Sequence, residues 1–558
     1  MQKIVTAEEM REIDRLTTER YATPSLLLME TAANASARAV AAHFSHDLTR
    51  KTVQVLCGRG NNGGDGAALA RTLWVLGAHV DVVLFGLVED AKGDARTNFE
   101  IVRHLGSFAA GSREHPSPLS FVECAGVAEW EEIASTRHGY DVTVDALFGT
   151  GLKRPLEGVY TQVVAHLDLL RASRERAGRS SPLVVSLDLP SGLDADSATP
   201  PGVAVRADLT ITFTAPKPAN VLPPASHFGG RLVVADIGSP PALLDSAPSK
   251  IFLTEPVDVR AWLEATRYAP DSYKNTHGHA LVVAGARGME GAAVLCADAA
   301  ISSGAGLVTL ATASSALPSI VSRVSPEVMT AALPETESGA IGGDAFERFK
   351  KLSERATVVA VGCGLNRESE ETRRFVREVV ERRTTPVVID ADGLNSLAPW
   401  PPELRGTREA PLILTPHEGE MLRLLGAQST DALKDRARVL SEFAAAHELI
   451  VVLKGTRTLV AAPDGRVFVN PTGNAGLGTA GSGDTLTGII TAFNAQAFGT
   501  LKDKADALRA TVAAVYVGGL AGDLAARELG MRALVASDIR RHVGAAVRAL
   551  DAKGEQPS

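Results

Sequence analysis

Residues 473–484 read Gly473, Asn474, Ala475, Gly476, Leu477, Gly478, Thr479, Ala480, Gly481, Ser482, Gly483 and Asp484, and a helix-like run over 485–493 follows at once. Small residues leave backbone N–H groups open to an anion, and the helix behind them adds the positive end of its dipole. One carboxylate, Asp484, stands at that helix start. Holding phosphates while activating a hydroxyl beside them is the chemistry this pairing suits. A helix cap would explain Asp484 alone; it would not explain the glycines. Other pieces that follow strand-like runs fit around the same site. The run Thr415, Pro416, His417, Glu418, Gly419, Glu420 offers His417 to a substrate, and Lys454, Gly455, Thr456, Arg457 and Thr458 offer charge and N–H groups to a nucleotide. Asp390 and Asp392 follow another strand-like run, where they could equally satisfy loop backbone, and Gly362, Cys363 and Gly364 supply a pocket wall.

A second glycine-rich anion loop lies far upstream, from Gly58 through Asn61, Asn62, Gly63, Gly64 and Asp65. It follows a strand-like run and precedes a helical one, yet it fits neither the dinucleotide fingerprint nor a Walker A loop. A tight turn is the plain alternative, though such a turn needs fewer polar groups. Asp145 and Gly149 end one later strand, and Asp188 and Ser191 end another. In a parallel sheet these ends share one edge, where ligands bind. Asn62, Asp145 and Ser191 could therefore converge as oxygen ligands for a hard monovalent cation. Two dissimilar sites on one chain suggest two activities.

The elements that position these residues alternate. Thr6 and Glu9 read as a capping box opening a first helix, and a second follows Pro24. Strands are expected at 53–57, 80–85, 142–148, 183–187, 209–213 and 232–237, with a helix at 67–76. After an Ala/Ser/Pro-rich connection the rhythm restarts, with strands at 280–284, 307–311, 358–361, 387–389, 412–414 and 450–453 and helices at 291–302 and 431–446. A hairpin is expected over 459–461 and 467–469, turning at Pro463, Asp464 and Gly465. The expectation is α/β: two different domains, each a three-layer sandwich with a mostly parallel sheet covered on both faces. They span 1–240 and 257–550, joined by a linker at 241–256.

At 558 residues the chain exceeds one ordinary core. A net charge of −8 and 5% aromatic content give no footprint for nucleic acid. Four scattered cysteines without a CxxC pair argue against a disulfide framework or zinc and for a reducing, cytoplasmic setting. No signal peptide and no bilayer-length apolar run are expected.

The motifs NNGGDG, DALFGTGL and DLPSG, in that order, closely resemble the NAD(P)H-hydrate epimerase family across 1–240, with its Rossmann-like fold. That resemblance implies a K+ site at Asn62, Asp145 and Ser191. It implies substrate contacts from Asn61, Asn62, Gly63, Gly64, Asp65, Gly149, Thr150, Gly151, Leu152, Lys153, Arg154, Pro155, Tyr160 and Asp188, with Asp188 as the acid/base candidate. The substrates are nicotinamide cofactors whose reduced ring has added water; the stereocentre beside the ring nitrogen is scrambled, by ring opening or by transient loss of the hydroxyl. Some related domains act as scaffolds instead.

The run KNTHGHALVVAG, VGCGLN, DADGLN, TPHEGE, LKGT and GTAGSGD resembles the ADP-dependent NAD(P)H-hydrate dehydratase family, which is ribokinase-like, over 255–550. Where that family has GPG, this chain has Gly362, Cys363 and Gly364. The resemblance implies nucleotide contacts from 454–458 and 473–483, and substrate contacts from Ala292, Gly364, His417 and the catalytic Asp484. Joined in this order, the halves resemble the bifunctional NAD(P)H-hydrate repair enzymes. These epimerise R and S forms of NADHX and NADPHX and dehydrate the S form with ADP and Mg2+, releasing AMP and phosphate; a homo-oligomer is expected. Two rivals stand beside this: a small-molecule kinase for a vitamin precursor, and an enzyme whose N-terminal half only binds ligand.

Overall fold

The inner N-terminal strands, rich in valine, leucine and isoleucine, are buried along nearly their whole length, as a parallel sheet covered on both faces requires. In the computed structural model, which describes residues 1–111, 118–137, 139–176, 178, 182–342, 344–367 and 369–551, the chain divides into two compact units. One is Lys3–Ser249; the other is Lys250–Ser558 together with Met1–Gln2.

The first unit carries a seven-stranded sheet in the order Leu119–Cys124, His79–Phe85, Thr52–Cys57, Val142–Ala146, Leu183–Leu187, Leu209–Phe213, Arg231–Ala235. Every recorded pairing in it is parallel. Successive side chains point to opposite faces. Val53, Val55 and Cys57 join a core shared with helices Ser25–His43 and Asn61–Val75, whereas Leu56 joins Trp130, Val163 and Leu167 on the other side. This is the three-layer arrangement read from the sequence. Strand order reverses between Thr52–Cys57 and Val142–Ala146, and a crevice opens at such a switch point.

The helix after Thr52–Cys57 starts at Asn61 rather than at 67. Gly63 and Gly64 do not stop it because close packing uses them. A Cβ on Gly63 would sit 1.7 Å from the Gly58 carbonyl oxygen, and one on Gly64 would lie 2.7 Å from Ala95 Cα. The Asn-Asn-Gly-Gly-Asp segment is therefore the opening turn of a helix, not a loop. Helix Ala7–Tyr21 opens with the expected box: Thr6 Oγ1 accepts from Glu9 N, and the Glu9 carboxylate accepts from Thr6 N.

In the second unit the strands run Ile251–Leu253, Val467–Val469, Leu459–Ala461, Ile450–Leu453, Leu412–Leu414, Val387–Ile389, Val358–Val361, His279–Val283, Leu307–Ala313, Met329–Leu333. From Ile450–Leu453 to Met329–Leu333 the pairings are parallel; the hairpin Leu459–Ala461/Val467–Val469 is antiparallel, turning at Gly465. The stretch 241–256 contains helix Pro241–Ser246 and strand Ile251–Leu253, which pairs with Val467–Val469. Helix Ser482–Gln496 lies on helix Glu290–Ser302, where a Cβ on Gly488 would come within 2.2 Å of the Cys296 carbonyl oxygen. Contrary to the sequence reading, helix Ala507–Leu529 is long and apolar enough to cross a membrane, but 72% of its most apolar stretch is buried inside the protein, as in a core helix.

Candidate functional sites

At the N-terminal switch point a cavity of about 820 Å³ is lined by, among others, Asp14, Asn61, Asn62, Asp65, Gly149, Thr150, Gly151, Leu152, Tyr160, Asp188 and Lys217. Asp188 follows strand Leu183–Leu187 in the left-handed region, at φ 63°, which Asp tolerates better than most residues. Asn220 Nδ2 donates to its carbonyl at 3.1 Å, fixing that turn. Its Oδ1 accepts from Lys217 Nζ at 2.6 Å and Thr212 Oγ1 at 3.1 Å. Its Oδ2 borders Gly149, where any Cβ would stand 3.0 Å away. Lys217 is fully buried and also donates to Thr212 Oγ1 and the Phe213 carbonyl.

Asp145 is buried and held by serine donors. Ser186 Oγ donates to it at 2.8 Å, Ser191 N at 2.8 Å and Ser191 Oγ at 2.6 Å. Burial still pushes its carboxyl up, against these donors. Both side-chain polar atoms of Asn62, which borders Gly149, are buried without a protein partner. An orphaned amide oxygen, a hydroxyl, a carboxylate and the Phe148 carbonyl, which Ser191 Oγ contacts at 3.3 Å, are the donor types that suit a hard monovalent cation. Burial first, then Asp188 and Asp14, push Asp65 well above the carboxylate range.

In the second unit Cys363, Asp390 and Lys454, each just past a strand, meet the start of helix Ser482–Gln496. Gly481 takes φ 82°, and the helix's first internal bond is Thr485 N to the Gly481 carbonyl. The N–H groups of Gly483 and Asp484 therefore lack helical acceptors and point out of the helix end. Asp484 is pushed up to about 6, first by burial and then by Asp390. Asp390 is buried, yet Lys454 Nζ at 2.6 Å and Thr487 Oγ1 at 2.7 Å hold it below the usual range against that burial. Cys363, Asp390 and Asp484 each bring a ligand atom within 4.8 Å of the others. The carboxylates suit Mg2+, the thiol does not, and Lys454 already neutralises Asp390. Magnesium here fits best on nucleotide phosphates rather than in a protein cage.

Two families match the chain. The one described as YjeF-related protein N-terminus matches residues 25–219, and the one described as NAD(P)H-hydrate dehydratase matches residues 280–543. The bifunctional NAD(P)H-hydrate repair enzyme Nnr of Moorella thermoacetica is 38% identical over 542 residues, 96% of this chain and 95% of that protein. The protein of the same name from Thermofilum pendens is 38% identical over 98% of this chain and 97% of its own. The chain belongs to the family of bifunctional NAD(P)H-hydrate repair enzymes. Among solved structures, the ADP/ATP-dependent NAD(P)H-hydrate dehydratase from Bacillus subtilis, co-crystallised with ATP/Mg2+, is 31% identical, with a TM-score of 0.46 over 54% of this chain and 98% of its own.

Within this family frame, the structure sorts the sequence-read residues. Asn61, Asn62, Asp65, Gly149, Thr150, Gly151, Leu152, Tyr160 and Asp188 share the N-terminal cavity; Gly63, Gly64, Lys153, Arg154 and Pro155 are not among its lining residues. Lys153 faces Asp196 at 3.8 Å instead. Tyr160 is held edge-on to Phe148 at 4.7 Å. In the second unit Gly364 and Ala292 meet, since a Cβ on Gly364 would lie 3.2 Å from Ala292 Cβ. His417 caps helix Glu418–Leu424: its Nδ1 accepts from Gly419 N and Glu420 N, and its Nε2 lies 3.5 Å from Glu420 Oε1.

Part of the glycine-rich segment is structural. Gly473 N donates to Asp523 at 2.9 Å and Gly476 N to Asn474 Oδ1 at 2.9 Å, so these amides are already occupied. Lys454 faces Asp390 and Glu420, and Arg457 Nη1 donates to the Pro471 carbonyl at 2.8 Å. Neither cation is a loose phosphate ligand. Sequence reading passed over Asp14, Lys217 and Thr487. Lys217 had a signal, a charge between two prolines just past a buried strand; Asp14 sits in a helix crowded with charges, and nothing in the spacing marks it.

Proposed function

We propose that the chain repairs hydrated nicotinamide cofactors, its first unit interconverting the R and S hydrates and its second dehydrating the S form at the expense of ADP. The observation that carries this is Asp484, whose carboxyl at about 6 stands beside free amides at a helix start. Ionised, it takes the proton of the hydrate's hydroxyl, and the oxygen attacks the terminal phosphoryl group. The Gly483 and Asp484 amides stabilise the charge in transfer. Hydroxide leaves badly and phosphate leaves well. The ring nitrogen's electron pair then expels phosphate, and loss of a proton from the neighbouring carbon restores the dihydropyridine.

Mg2+ riding on the nucleotide would neutralise its phosphates. In the first unit Asn62, Ser191 and Asp145 would hold K+, which would supply positive charge between the turns after Asp145 and Asp188. Asp188, paired with Lys217, is the acid/base group nearest Gly149.

The test is a mixture of NADHX epimers incubated with the protein, Mg2+, K+ and either ADP or ATP. Full recovery of NADH with inorganic phosphate release is expected, with ADP as the preferred donor. A stable organic phosphate in place of NADH would overturn the dehydratase reading in favour of a kinase. Conversion that stalls with one epimer left would remove the epimerase.

A further inference from the structure

The N-terminal cavity holds one carboxyl group that no motif points to. Asp14, on helix Ala7–Tyr21, lines the same cavity as Asp188 and Gly149. Its Oδ1 is buried and has no hydrogen-bond partner in the protein. The charged groups that face it come from three other elements: Asp65 on helix Asn61–Val75, Asp188 past strand Leu183–Leu187, and Lys217 past strand Leu209–Phe213. Arg11 and Arg15 on its own helix reach only the cavity rim, and Arg15 is engaged by Glu12 and Glu19.

The single lysine is committed. Lys217 Nζ lies 2.6 Å from Asp188 Oδ1 and donates to two further oxygens. Asp14 has no such donor, and burial pushes its carboxyl up to about 6, with Lys217 pulling it down and Asp188 pushing it further up. One cavity thus contains an aspartate paired with a lysine and a carboxyl group that holds its proton up to about 6. A carboxyl that can give a proton beside a second carboxyl held by a lysine suits an inverting displacement at a carbon next to a ring heteroatom.

We propose that Asp14 is the general acid of the epimerisation, protonating the departing hydroxyl on one face of the ring while Asp188 activates a water on the other. This deepens the reading of the first unit as an epimerase and rests on it. In the forward step Asp14 gives its proton to the hydroxyl oxygen. The C–O bond breaks with its pair going to that oxygen, which leaves as water, and the ring nitrogen's pair forms a C=N+ bond. Water on the opposite face adds to that carbon, returns the pair to nitrogen, and passes its proton to Asp188. The configuration is inverted and one oxygen has been exchanged with solvent. A proton moving from Asp188 back to Asp14 through solvent resets the site; the return reaction uses the two groups in exchanged roles.

The experiment uses the full chain without nucleotide, so that the dehydratase is silent, and follows interconversion of separated NADHX epimers. Asp14→Asn is expected to lower kcat by ~10²-fold or more with KM little changed. Asp14→Glu should recover part of that loss. The wild-type rate should fall as pH rises above about 6, where Asp14 loses its proton, and Asp14→Asn should flatten that limb. In water enriched in the heavy oxygen isotope, each inversion should place one solvent oxygen on the ring carbon. Asp14→Asn working at the wild-type rate, a loss confined to KM, or inversion without label would each overturn the role of Asp14. Asp188→Asn separates the two claims: if it is inactive while Asp14→Asn is normal, the epimerase reading stands and the Asp14 proposal falls. If the wild-type chain itself does not speed interconversion of the epimers, the epimerase reading falls with it.

Discussion

The two units are built around the same charge arrangement and differ in which member of it faces the ligand. Each holds a lysine–aspartate pair at 2.6 Å, Lys217–Asp188 and Lys454–Asp390. Each sets beside that pair a second carboxyl raised to about 6, Asp14 and Asp484. In the first unit the lysine side chain is 1% exposed and the aspartate 11%; in the second the lysine is 18% exposed and the aspartate 1%. Asp188 is thus available to a ligand, while Asp390 is an internal anchor. The second difference is the backbone. Asp484 lies in the first turn of its helix among amides without helical acceptors, whereas Asp14 lies in the middle of a helix whose N–H groups are occupied. A raised carboxyl alone suits proton transfer; the same group beside free amides also suits phosphoryl transfer.

The largest test of that contrast removes the proton acceptor beside the amides. Asp484→Asn should lower ADP-dependent dehydration by ~10²–10⁴-fold, as expected for loss of a general base at the reacting hydroxyl. Epimer interconversion by the same protein should stay at the wild-type rate. Dehydration at full speed in this variant would mean that the amides act without the carboxylate, and the comparison would lose its chemical content.

Removing the lysines tests the exposure argument. Lys454→Met strands Asp390 in the interior with neutral donors such as Thr487 Oγ1 and Cys363 Sγ, and loss of a partner from a buried pair costs about 3–5 kcal/mol. Lys217→Met should cost less, because Asp188 can turn its charge toward cavity water. Denaturant unfolding followed separately for the two units would check the order, and an equal or reversed order would show that exposure does not set the difference.

The pH behaviour sharpens the comparison further. Asp484 acts ionised, so dehydration should rise as pH climbs through about 6. For stability the sign runs the other way. Both Asp14 and Asp484 bind their proton more tightly when folded than the ordinary value of 3.8. The stability that proton supplies is complete below that value and is lost as pH rises through about 6. Asp484→Asn should flatten this decline in the second unit, and a decline of unchanged slope would place the raised carboxyl elsewhere.

What the sequence made legible follows burial. The central strands Leu183–Leu187, Val358–Val361 and Ile450–Leu453 were read to the residue, because burial on both faces demands unbroken apolar runs. The edge strands Leu119–Cys124 and Met329–Leu333 were missed, since an edge has one neighbour and tolerates Ser120, Glu123 and Thr330. Site residues past strand ends were found for the same reason, with Asp188, Asp390 and His417 all at carboxyl edges. Asp14 reaches its cavity from a helix that contributes no strand, and only the folded chain reveals it. The glycines misled in both sites: Gly63 and Gly64 pack a helix start, and the amides of Gly473 and Gly476 close a turn.

The smallest expected effect concerns how firmly that Asp14 helix is held. Thr6 Oγ1 and the Glu9 carboxylate satisfy each other's backbone N–H groups at its start, and Ala7 N donates to Asp196 at 2.6 Å. Thr6→Ala removes one of these caps and should cost about 1 kcal/mol of stability in the first unit. Asp14 lies well along the helix and is positioned by Met10, Ile13 and Thr17, which are buried on its core face. Fraying at the first turn should therefore leave the epimerisation rate nearly unchanged. In the second unit the corresponding carboxyl sits in the first turn itself, so the start of helix Ser482–Gln496 has no such slack. A Cβ on Gly481 would come within 2.4 Å of Leu295 Cδ1 at an already left-handed φ, and Gly481→Ala should lower dehydration even where the unit remains folded. Comparable activity losses from the two variants would show that the first unit's acid depends on its helix end as well.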